Sequence, residues 1–201
     1  MLELYGGGKS RWIKCYWILK ELNQDFKEYH FDILKGEHKS PQLLSISPFA
    51  KLPVLKDGQF VLFESNAILT YLGDKFPESG LVPKAGSQER GLYDQWLFYS
   101  VTELEQPLWR ITKHLRLYPE NLRLSQDIEL AGMEFKQTMK TFDELLGQKD
   151  YLIDSRFTAA DIAVAYTLKW AKMLSLLKEF PNCERYLDSL LARPAFPKHL
   201  Y

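Results

Sequence analysis

The sequence predicts an α/β domain followed by an all-α domain. Patterns typical of β-strands occur only between residues 2 and 63, where they alternate with helical patterns. Residues 76–86 then carry two prolines and two glycines, a composition that favours a linker. From residue 87 onward the apolar residues recur at helical spacing, and no strand pattern returns. We therefore expect domains at residues 1–77 and 87–201, joined by a linker at residues 78–86.

The composition is that of a globular protein without a strong preference for charged partners. Hydrophobic residues make up 46% and charged residues 26% of the 201 residues, and the formal net charge is +0. A nucleic-acid-binding chain normally has a basic excess, so we expect no nucleic-acid partner. No apolar run reaches the roughly twenty residues of a membrane span, so we expect no membrane partner. The two cysteines, Cys15 and Cys183, form no metal-type cluster, which fits a reducing, cytoplasmic setting without a bound metal.

The N-terminal segment has the pattern of a βαβ unit. Leu2–Tyr5 is a short strand pattern, and glycines 6–8 follow as a loop. A helix is expected to begin near Ser10, with an apolar stripe formed by Cys15, Ile18, Leu19 and Leu22. Apolar and polar residues then alternate through Tyr29–Ile33, as in a half-buried strand. Ser40, followed by a proline, predicts the start of a short helix.

A β-hairpin followed by a helix is predicted over residues 49–72. Asp57-Gly58 indicates a two-residue turn, since glycine supplies the positive φ that such a turn requires. The turn separates a short apolar run at Val54 from Phe60–Phe63, which is rich in aromatic and β-branched residues. Ser65 occupies the expected N-cap position of the helix behind it. The order βαβ, helix, hairpin, helix looks like that of a thioredoxin-like domain.

Two features of this hairpin unit favour a binding site for a peptide-like ligand. Pro53 opens its strand and can hold a cis peptide bond, which would turn the main-chain N–H and C=O of Leu52 outward. At the corner Glu64-Ser65, a carboxylate and a hydroxyl lie beside free N–H groups at a helix start. That corner can hold a zwitterion, with its carboxylate on Ser65 and the N–H groups and its ammonium on Glu64. An ordinary hairpin with an ordinary N-cap is the alternative interpretation.

The second domain is predicted to be entirely helical. One long helix is expected over residues 87–117, with a kink at Pro107, and a second long helix ends near Gly147. The apolar side of the second helix consists of Ile128, Ala131, Phe135, Met139, Phe142 and Leu146. Thr158 and Asp161 have the spacing of a capping box, with Asp in place of the usual Glu, at the start of another helix.

Several of these motifs resemble those of the cytosolic glutathione transferases. Ala50–Leu55, with its Leu-Pro pair, and Phe63–Ile68, with its Glu-Ser corner, are similar to the glutathione-binding core of that family. The box at Thr158–Asp161 and the closing Ala192–Phe196 resemble parts of its C-terminal domain. The resemblance covers nearly the whole chain. It implies a thioredoxin-like first domain, an all-helical second domain, and glutathione (γ-Glu-Cys-Gly) as co-substrate.

The resemblance also implies where the tripeptide binds. Its Cys part would pair with the main chain of Leu52, ahead of a cis Pro53. Its γ-Glu part would lie on Glu64 and Ser65. Lys39 and Lys51 would meet its glycine carboxylate, and His38 has a weaker claim to the same role. A lysine on a loop is also commonly just solvated, which is the alternative for Lys39.

The implied reaction is attack of the glutathione sulfur on a small hydrophobic electrophile. A free thiol has a pKa of about 8.5, so the protein must stabilise the thiolate, which a hydroxyl donor at a helix start can do. By position, the resemblance assigns this role to Ser10; a plain N-cap is the alternative. Many family members have a proline soon after this serine, whereas this chain continues with Arg11 and Trp12. Tyr5 is the second candidate donor.

The electrophile site is expected to be apolar and close to the sulfur. Tyr5 and Trp12 are the candidates from the first domain, and Trp109 and Thr112 are those from the second. Leu115 and Trp170 are further candidates. Aromatic residues at helical spacing are also typical of a hydrophobic core, which is the alternative for each of them.

The resemblance further implies a homodimer. Two other functions would fit much of the same pattern. One is glutathione-dependent reduction of disulfides or peroxides, or an isomerisation, all of which use the same tripeptide site. The other is a non-catalytic scaffold or regulator that keeps only the fold.

Overall fold

The computed structural model describes residues 1–153 and 156–200, which fold into two compact units. One unit comprises Met1–Ala85 together with the C-terminal segment from Ala192, and the other comprises Gly86–Leu191. The division therefore falls inside the segment 78–86 that the sequence predicts as a linker. The sequence prediction placed residues 192–201 in the helical domain, whereas the segment from Ala192 belongs to the first unit. Tyr201 lies outside the described residues.

The first unit contains a four-stranded mixed sheet with helices. The strand order is β2-β1-β3-β4, in which β1 is parallel to β2 and antiparallel to β3, and β3 is antiparallel to β4. The strands are β1 (Leu2–Gly6), β2 (Phe26–His30), β3 (Val54–Asp57) and β4 (Phe60–Phe63). The helices are α1 (Trp12–Glu21), α2 (Pro41–Leu44) and α3 (Ser65–Lys75). This confirms the predicted thioredoxin-like α/β class.

The two faces of the sheet are fixed by strand alternation. Leu4 pairs with Leu55 across β1 and β3, and both side chains are fully buried on one face, where α1 packs against β1 and α3 packs against α1. Tyr5 pairs with Val54 on the opposite face, where they form a hydrophobic cluster with Leu43 of α2. The strand ends that lead into the loops before α1 and β3 are therefore held by core packing on both sides.

The hairpin turn differs from the prediction by one residue. Asp57 still pairs with Phe60, so the two loop residues are Gly58 and Gln59 rather than Asp57 and Gly58. Gly58 has a φ of 62°, so glycine supplies the positive φ, as expected, at the first loop position. The Asp57 carboxylate is left to accept hydrogen bonds from Tyr71, at 2.7 Å, and from Lys75, both on α3.

The segment from Ala192 is fastened to α1 of the same unit. Arg193 donates to both carboxylate oxygens of Glu21, at 2.7 and 2.8 Å, and Phe196 lies edge-on to Trp17 with ring centroids 5.0 Å apart. A bidentate pair of this kind is directional as well as charged. These contacts explain why the end of the chain belongs to the first unit, which no local sequence pattern indicates.

The second unit is all-helical, as predicted. Its helices are α4 (Gln88–Tyr99), α5 (Gln106–Thr112), α6 (Ser125–Leu146), α7 (Ala159–Met173) and α8 (Pro181–Leu191). Two π-helical segments, Ser100–Glu105 and Lys113–Leu117, join α4 to α5 and extend α5. The predicted helix over residues 87–117 is thus nearly continuous. The first π-helical segment ends two residues before Pro107, which lacks an N–H to donate to the previous turn.

The predicted apolar side of α6 is confirmed. Five of its six residues are buried, and Ile128 is half-buried. Gly147 follows the helix with a φ of 48°, as expected for a C-cap. The capping box at α7 is also confirmed, because the carboxylate of Asp161 accepts the N–H of Thr158 at 2.7 Å. None of the helices in the described ranges is both long and apolar enough to span a membrane.

Candidate functional site

The main chain ahead of β3 has the bend that a peptide-binding edge needs. The bond between Leu52 and Pro53 is cis, in agreement with the sequence prediction. Pro53 is buried and Leu52 is half-buried. Within residues 1–153 and 156–200, the main-chain N–H and C=O of Leu52 have no hydrogen-bond partner. Because β-strand edges pair with extended peptides through such groups, Leu52 is competent to bind a tripeptide main chain.

A serine that the sequence analysis missed holds this bend in place. Ser47 is fully buried; its hydroxyl donates to the carbonyl of Lys51 at 2.8 Å and accepts the N–H of the same residue at 3.1 Å. Between them, Ala50 has a φ of 52°, in the left-handed region. The only signal in the sequence is that Ser47 precedes Pro48, a pair that favours turns.

The corner between β4 and α3 is strained and uncapped. Glu64 has a φ of 72°, which costs a non-glycine residue about 1–3 kcal/mol. Its side chain makes no capping hydrogen bond to α3. The first helical hydrogen bond runs from the N–H of Ile68 to the carbonyl of Glu64, at 2.9 Å. The preceding N–H groups therefore have no acceptor inside the helix, and such a helix start favours an anion.

The predicted position of Ser65 is wrong by one residue. Glu64 occupies the N-cap position, and Ser65 is the first residue of α3, with 4% of its surface exposed. The prediction assumed that the serine would cap the helix, but the sharp turn is absorbed by the strained backbone of Glu64. The carboxylate of Glu64 and the hydroxyl of Ser65 remain adjacent at the helix start.

The predicted contacts to the ligand's glycine carboxylate lie on two loops of the first unit. Lys39 lies in a 3₁₀ turn, Glu37–Lys39, and Lys51 precedes Leu52; both are exposed. In the same turn, the Nδ1 atom of His38 is buried and has no hydrogen-bond partner in the part of the chain that the structure describes. An unsatisfied buried nitrogen is costly, so a ligand that bonded it would be favoured. His38 is therefore a stronger candidate for contact with the glycine carboxylate than the sequence indicated, where it ranked below Lys39.

Ser10 lies in the loop before α1 but does not cap the helix. α1 begins at Trp12, so the predicted start at Ser10 is early, and Arg11 takes the cap position. The Ser10 hydroxyl is half-buried and donates to the carbonyl of Gly7 at 2.8 Å. A hydroxyl has one hydrogen to donate, so it would have to leave Gly7 to stabilise a thiolate.

Close packing fixes the path of the Ser10 loop. A Cβ atom on Gly6 would lie 2.3 Å from the Cβ of Trp12, and one on Gly7 would lie 2.5 Å from the carbonyl oxygen of Phe31. Both glycines are therefore required by contact distance. The indole N–H of Trp12 donates to the carbonyl of Gly8 at 2.7 Å, which closes the loop onto the helix.

The two aromatic residues of the first unit that were predicted as substrate contacts are engaged inside that unit. Tyr5 is 6% exposed, stacks on Tyr29 with centroids 4.5 Å apart, and donates its hydroxyl to Glu3 at 2.6 Å. Burial, and then the bond to Glu3, raise the pKa of Tyr5. Trp12 is 2% exposed. For both residues the structure supports the alternative role in packing.

In the helical unit, three of the predicted residues lie together. Trp170 donates its indole N–H to the hydroxyl of Thr112 at 3.2 Å, and its ring lies edge-on to Trp109 with centroids 6.3 Å apart. All three side chains are half-buried, and Leu115 is 45% exposed. The α5 and α7 helices thus present a partly accessible aromatic surface with one hydroxyl in it.

Cys15 is a buried core residue, as the sequence predicts. It is 0% exposed, and burial raises the pKa of its thiol. A reactive cysteine needs a lowered pKa and some access, so Cys15 does not have the properties of a thiol nucleophile.

Comparisons with known proteins agree with this geometry. The family model for the N-terminal domain of glutathione S-transferase matches residues 1–74, and the model for its C-terminal domain matches residues 125–189. A glutathione S-transferase from Arabidopsis thaliana is 27% identical, covering 98% of this chain and 94% of its own length. Glutathione S-transferase 1 from Schizosaccharomyces pombe is 28% identical, covering 94% of this chain and 89% of its own length.

Solved structures are similar over nearly the whole chain. A glutathione transferase from Phanerochaete chrysosporium, in complex with oxidized glutathione, superposes with a TM-score of 0.88 at 28% identity, covering 98% of this chain and 93% of that one. A family member from Pseudomonas fluorescens with two glutathione bound gives 0.87 at 25% identity, covering 99% and 92%. With both family models matched and the cis-proline bend and uncapped corner in place, this chain belongs to the glutathione S-transferase family.

Proposed function

We propose that this protein is a glutathione transferase that conjugates reduced glutathione to a small hydrophobic electrophile. The observation that carries the proposal is the pair formed by the cis bond before Pro53 and the uncapped, strained corner at Glu64. Between them they offer main-chain groups for an extended peptide and a zwitterion site for its amino-acid head. The relatives that match almost the whole chain are named for the same activity.

The geometry supports a specific assignment of the tripeptide to these groups. The Cys part pairs with the N–H and C=O of Leu52, and the γ-Glu carboxylate binds the Ser65 hydroxyl and the first N–H groups of α3. Glu64 accepts the γ-Glu ammonium. Lys39 and Lys51 attract the glycine carboxylate, with His38 as a further donor. Charge-assisted hydrogen bonds of this kind are about twice as strong as neutral ones.

Ser10 is proposed to stabilise the thiolate. Its hydroxyl lies in a loop held by close glycine contacts, and it can donate to sulfur once it leaves the Gly7 carbonyl. Tyr5 is a weaker candidate, because its hydroxyl already donates to Glu3 and its ring is buried. Trp109 and Thr112 are proposed to contact the electrophile, whereas Tyr5 and Trp12 support the loop from inside the first unit.

Conjugation is favoured over thiol-disulfide chemistry by the state of the cysteines. Both Cys15 and Cys183 are free and buried, and burial raises the pKa of each thiol. Neither thiol can readily form a mixed disulfide with glutathione, which a cysteine-based reductase would require. Free, buried cysteines also fit a reducing compartment, and we place the protein in the cytoplasm.

The proposed assembly is a homodimer. Size-exclusion chromatography with light scattering at micromolar concentration should give about twice the 23.5 kDa of the chain. A monomer mass across that range would contradict the dimer without affecting the proposed reaction.

The central experiment removes the Ser10 hydroxyl. In Ser10→Ala, we expect turnover with glutathione and an activated aryl chloride to fall about 100-fold, because one donor to the developing thiolate is lost. The affinity for glutathione, measured by calorimetry, should change by less than about threefold, since the other contacts remain.

Ser45→Ala is the matched control. Ser45 also donates its hydroxyl to a main-chain carbonyl three residues earlier, at 2.7 Å, but it is exposed on the loop after α2. Its substitution should leave turnover unchanged. Unchanged turnover in Ser10→Ala would transfer the thiolate role to another donor, and absence of glutathione binding by the folded parent protein would refute the transferase function itself.

A further inference from the structure

The first helix contains a fully buried lysine that the proposed reaction does not use. Lys14 lies in the first turn of α1 and is 0% exposed. It interrupts an otherwise apolar run from Trp12 to Leu19. Taking an ammonium out of water is costly unless nearby acceptors compensate, so a lysine at such a position needs a reason beyond packing.

Lys14 reaches the start of the helix that forms the proposed ligand corner. Its Nζ atom donates to the side-chain carbonyl oxygen of Asn66 at 3.1 Å. Asn66 is the second residue of α3, directly after Ser65. It supplies one of the N–H groups that precede the first helical hydrogen bond.

The next residue of α1 makes a second contact to the same corner. The thiol of Cys15 lies 3.8 Å from the carbonyl oxygen of Ser65, a weak hydrogen bond made in the protein interior. Two consecutive residues of α1 thus support two consecutive residues of α3. The two contacts span 52 and 50 positions of sequence and lie in the interior, behind the surface on which the γ-Glu head is proposed to bind.

We propose that Lys14 is a positioning residue for the α-carboxylate of the γ-glutamyl group. It fixes Asn66, and with it the first turn of α3, and it places a positive charge behind the N–H groups that receive the carboxylate. This inference rests on the proposed function, since it requires glutathione to bind at the corner.

Electrostatics in the interior support this role. Burial raises the pKa of the Cys15 thiol, and the charge of Lys14 acts in the opposite direction by favouring the thiolate. Lys14 is adjacent in sequence to Cys15, so its ammonium lies next to the residue that contacts Ser65. A charge acts over longer distances in the protein interior than in water, so its field extends to the helix start.

The test compares two ligands in three variants. The ligands are glutathione and the decarboxylated peptide 4-aminobutanoyl-Cys-Gly. This second peptide keeps the amino group of the γ-glutamyl head and lacks only its α-carboxylate. Calorimetry on the parent protein should show a preference for glutathione. In Lys14→Met, of similar length and apolar, we expect that preference to fall about tenfold, while affinity for the decarboxylated peptide stays the same.

Lys14→Arg keeps the charge and should retain most of the preference. Lys20→Met is the matched control: Lys20 lies on the same helix but is exposed, over the rings of Tyr16 and Phe26 at 5.2 and 5.1 Å. It should leave the affinity for both ligands unchanged. If Lys14 had a role in folding alone, Lys14→Met would lower the affinity for both ligands by the same factor. That result would overturn the proposal.

If Lys14→Met does not fold, Asn66→Ala provides the same comparison. The Asn66 side chain is half-buried, and its truncation removes the acceptor that ties Lys14 to α3. Reduced preference for glutathione in Asn66→Ala would support the proposal, and an unchanged preference would overturn it. If the parent protein binds neither peptide, the proposed function fails instead, so the two failures can be told apart.

Discussion

The starts of α3 and α7 are both marked by an acidic residue and a hydroxyl residue, yet they are built in opposite ways. At α7 the carboxylate of Asp161 accepts the N–H of Thr158 at 2.7 Å, the N–H of Leu152 at 2.9 Å and the hydroxyl of Tyr186 at 2.7 Å. At α3 the Glu64 side chain makes no capping bond, and its backbone is strained.

This difference between the two helix starts shows that the start of α7 is built for stability and the start of α3 for binding. Asp161 is 0% exposed and satisfies donors from three segments, so its helix start has nothing left to offer a ligand. Glu64 is exposed, and the N–H groups that precede the hydrogen bond from Ile68 have no acceptor within α3. Strained and unsatisfied groups cluster at functional sites because folding energy has to be given up there to keep them available.

Removing the satisfied cap should have the largest effect on stability. In Asp161→Ala, four donors lose their acceptor, two of them main-chain N–H groups in the interior, so we expect the free energy of unfolding to fall by about 4 kcal/mol. Urea denaturation followed by circular dichroism measures this change. Glu64→Ala, the matched change at the other helix start, should alter the free energy of unfolding by less than about 1 kcal/mol. Equal losses in both variants would contradict the division of roles.

Relieving the strain at the corner should have a smaller and opposite effect. In Glu64→Gly, the φ of 72° becomes acceptable, so we expect a net stabilisation of about 1 kcal/mol together with weaker glutathione binding, because the carboxylate for the ammonium is lost. Thermal unfolding and calorimetric titration measure the two changes. Glu64→Ala controls for the carboxylate, since it lacks the charge but keeps the strain. A destabilised glycine variant would contradict the strain argument.

The smallest effect is expected from the hydrogen bonds that Tyr71 and Lys75 of α3 donate to Asp57. Hydrogen bonds from Lys75 and then Tyr71 lower the pKa of Asp57 from its ordinary value of 3.8. A carboxylate whose pKa is lowered by folding stabilises the protein above the unfolded pKa, and this contribution is lost as the pH falls through the folded value. In Asp57→Asn we expect the free energy of unfolding at pH 7 to fall by about 0.5 kcal/mol.

The pH dependence distinguishes this carboxylate from an ordinary turn residue. The difference in the free energy of unfolding between Asp57→Asn and the parent protein should be constant from pH 7 to pH 5. It should close as the pH falls below 3.8 and through the lowered pKa of the folded protein. Denaturant unfolding at a series of pH values measures it. A gap that persists at low pH would mean that the charge of Asp57 is not its source.

Local signals were sufficient for much of the fold and part of the site. Gly58 in the hairpin, the Thr158 box and the apolar stripe of α6 are short-range patterns, and the structure confirms each of them. The cis bond at Pro53 could be anticipated because only proline makes such a bond cheap. The cap positions of Ser10 and Ser65 were each wrong by one residue or more, because the loop and corner backbones follow tertiary contacts.

The sequence by itself determined the order of strands and helices, the capped start of α7 and the placement of a carboxylate and a hydroxyl at a sharp corner. These follow from periodicity and from hydrogen bonds between residues close in the chain. Only the tertiary structure decided that Ser47 clamps the main chain before Leu52, that Lys14 supports the start of α3, and that the segment from Ala192 joins the first unit. Each of these depends on burial and on a partner that local periodicity does not specify, and for the last two that partner is distant in sequence.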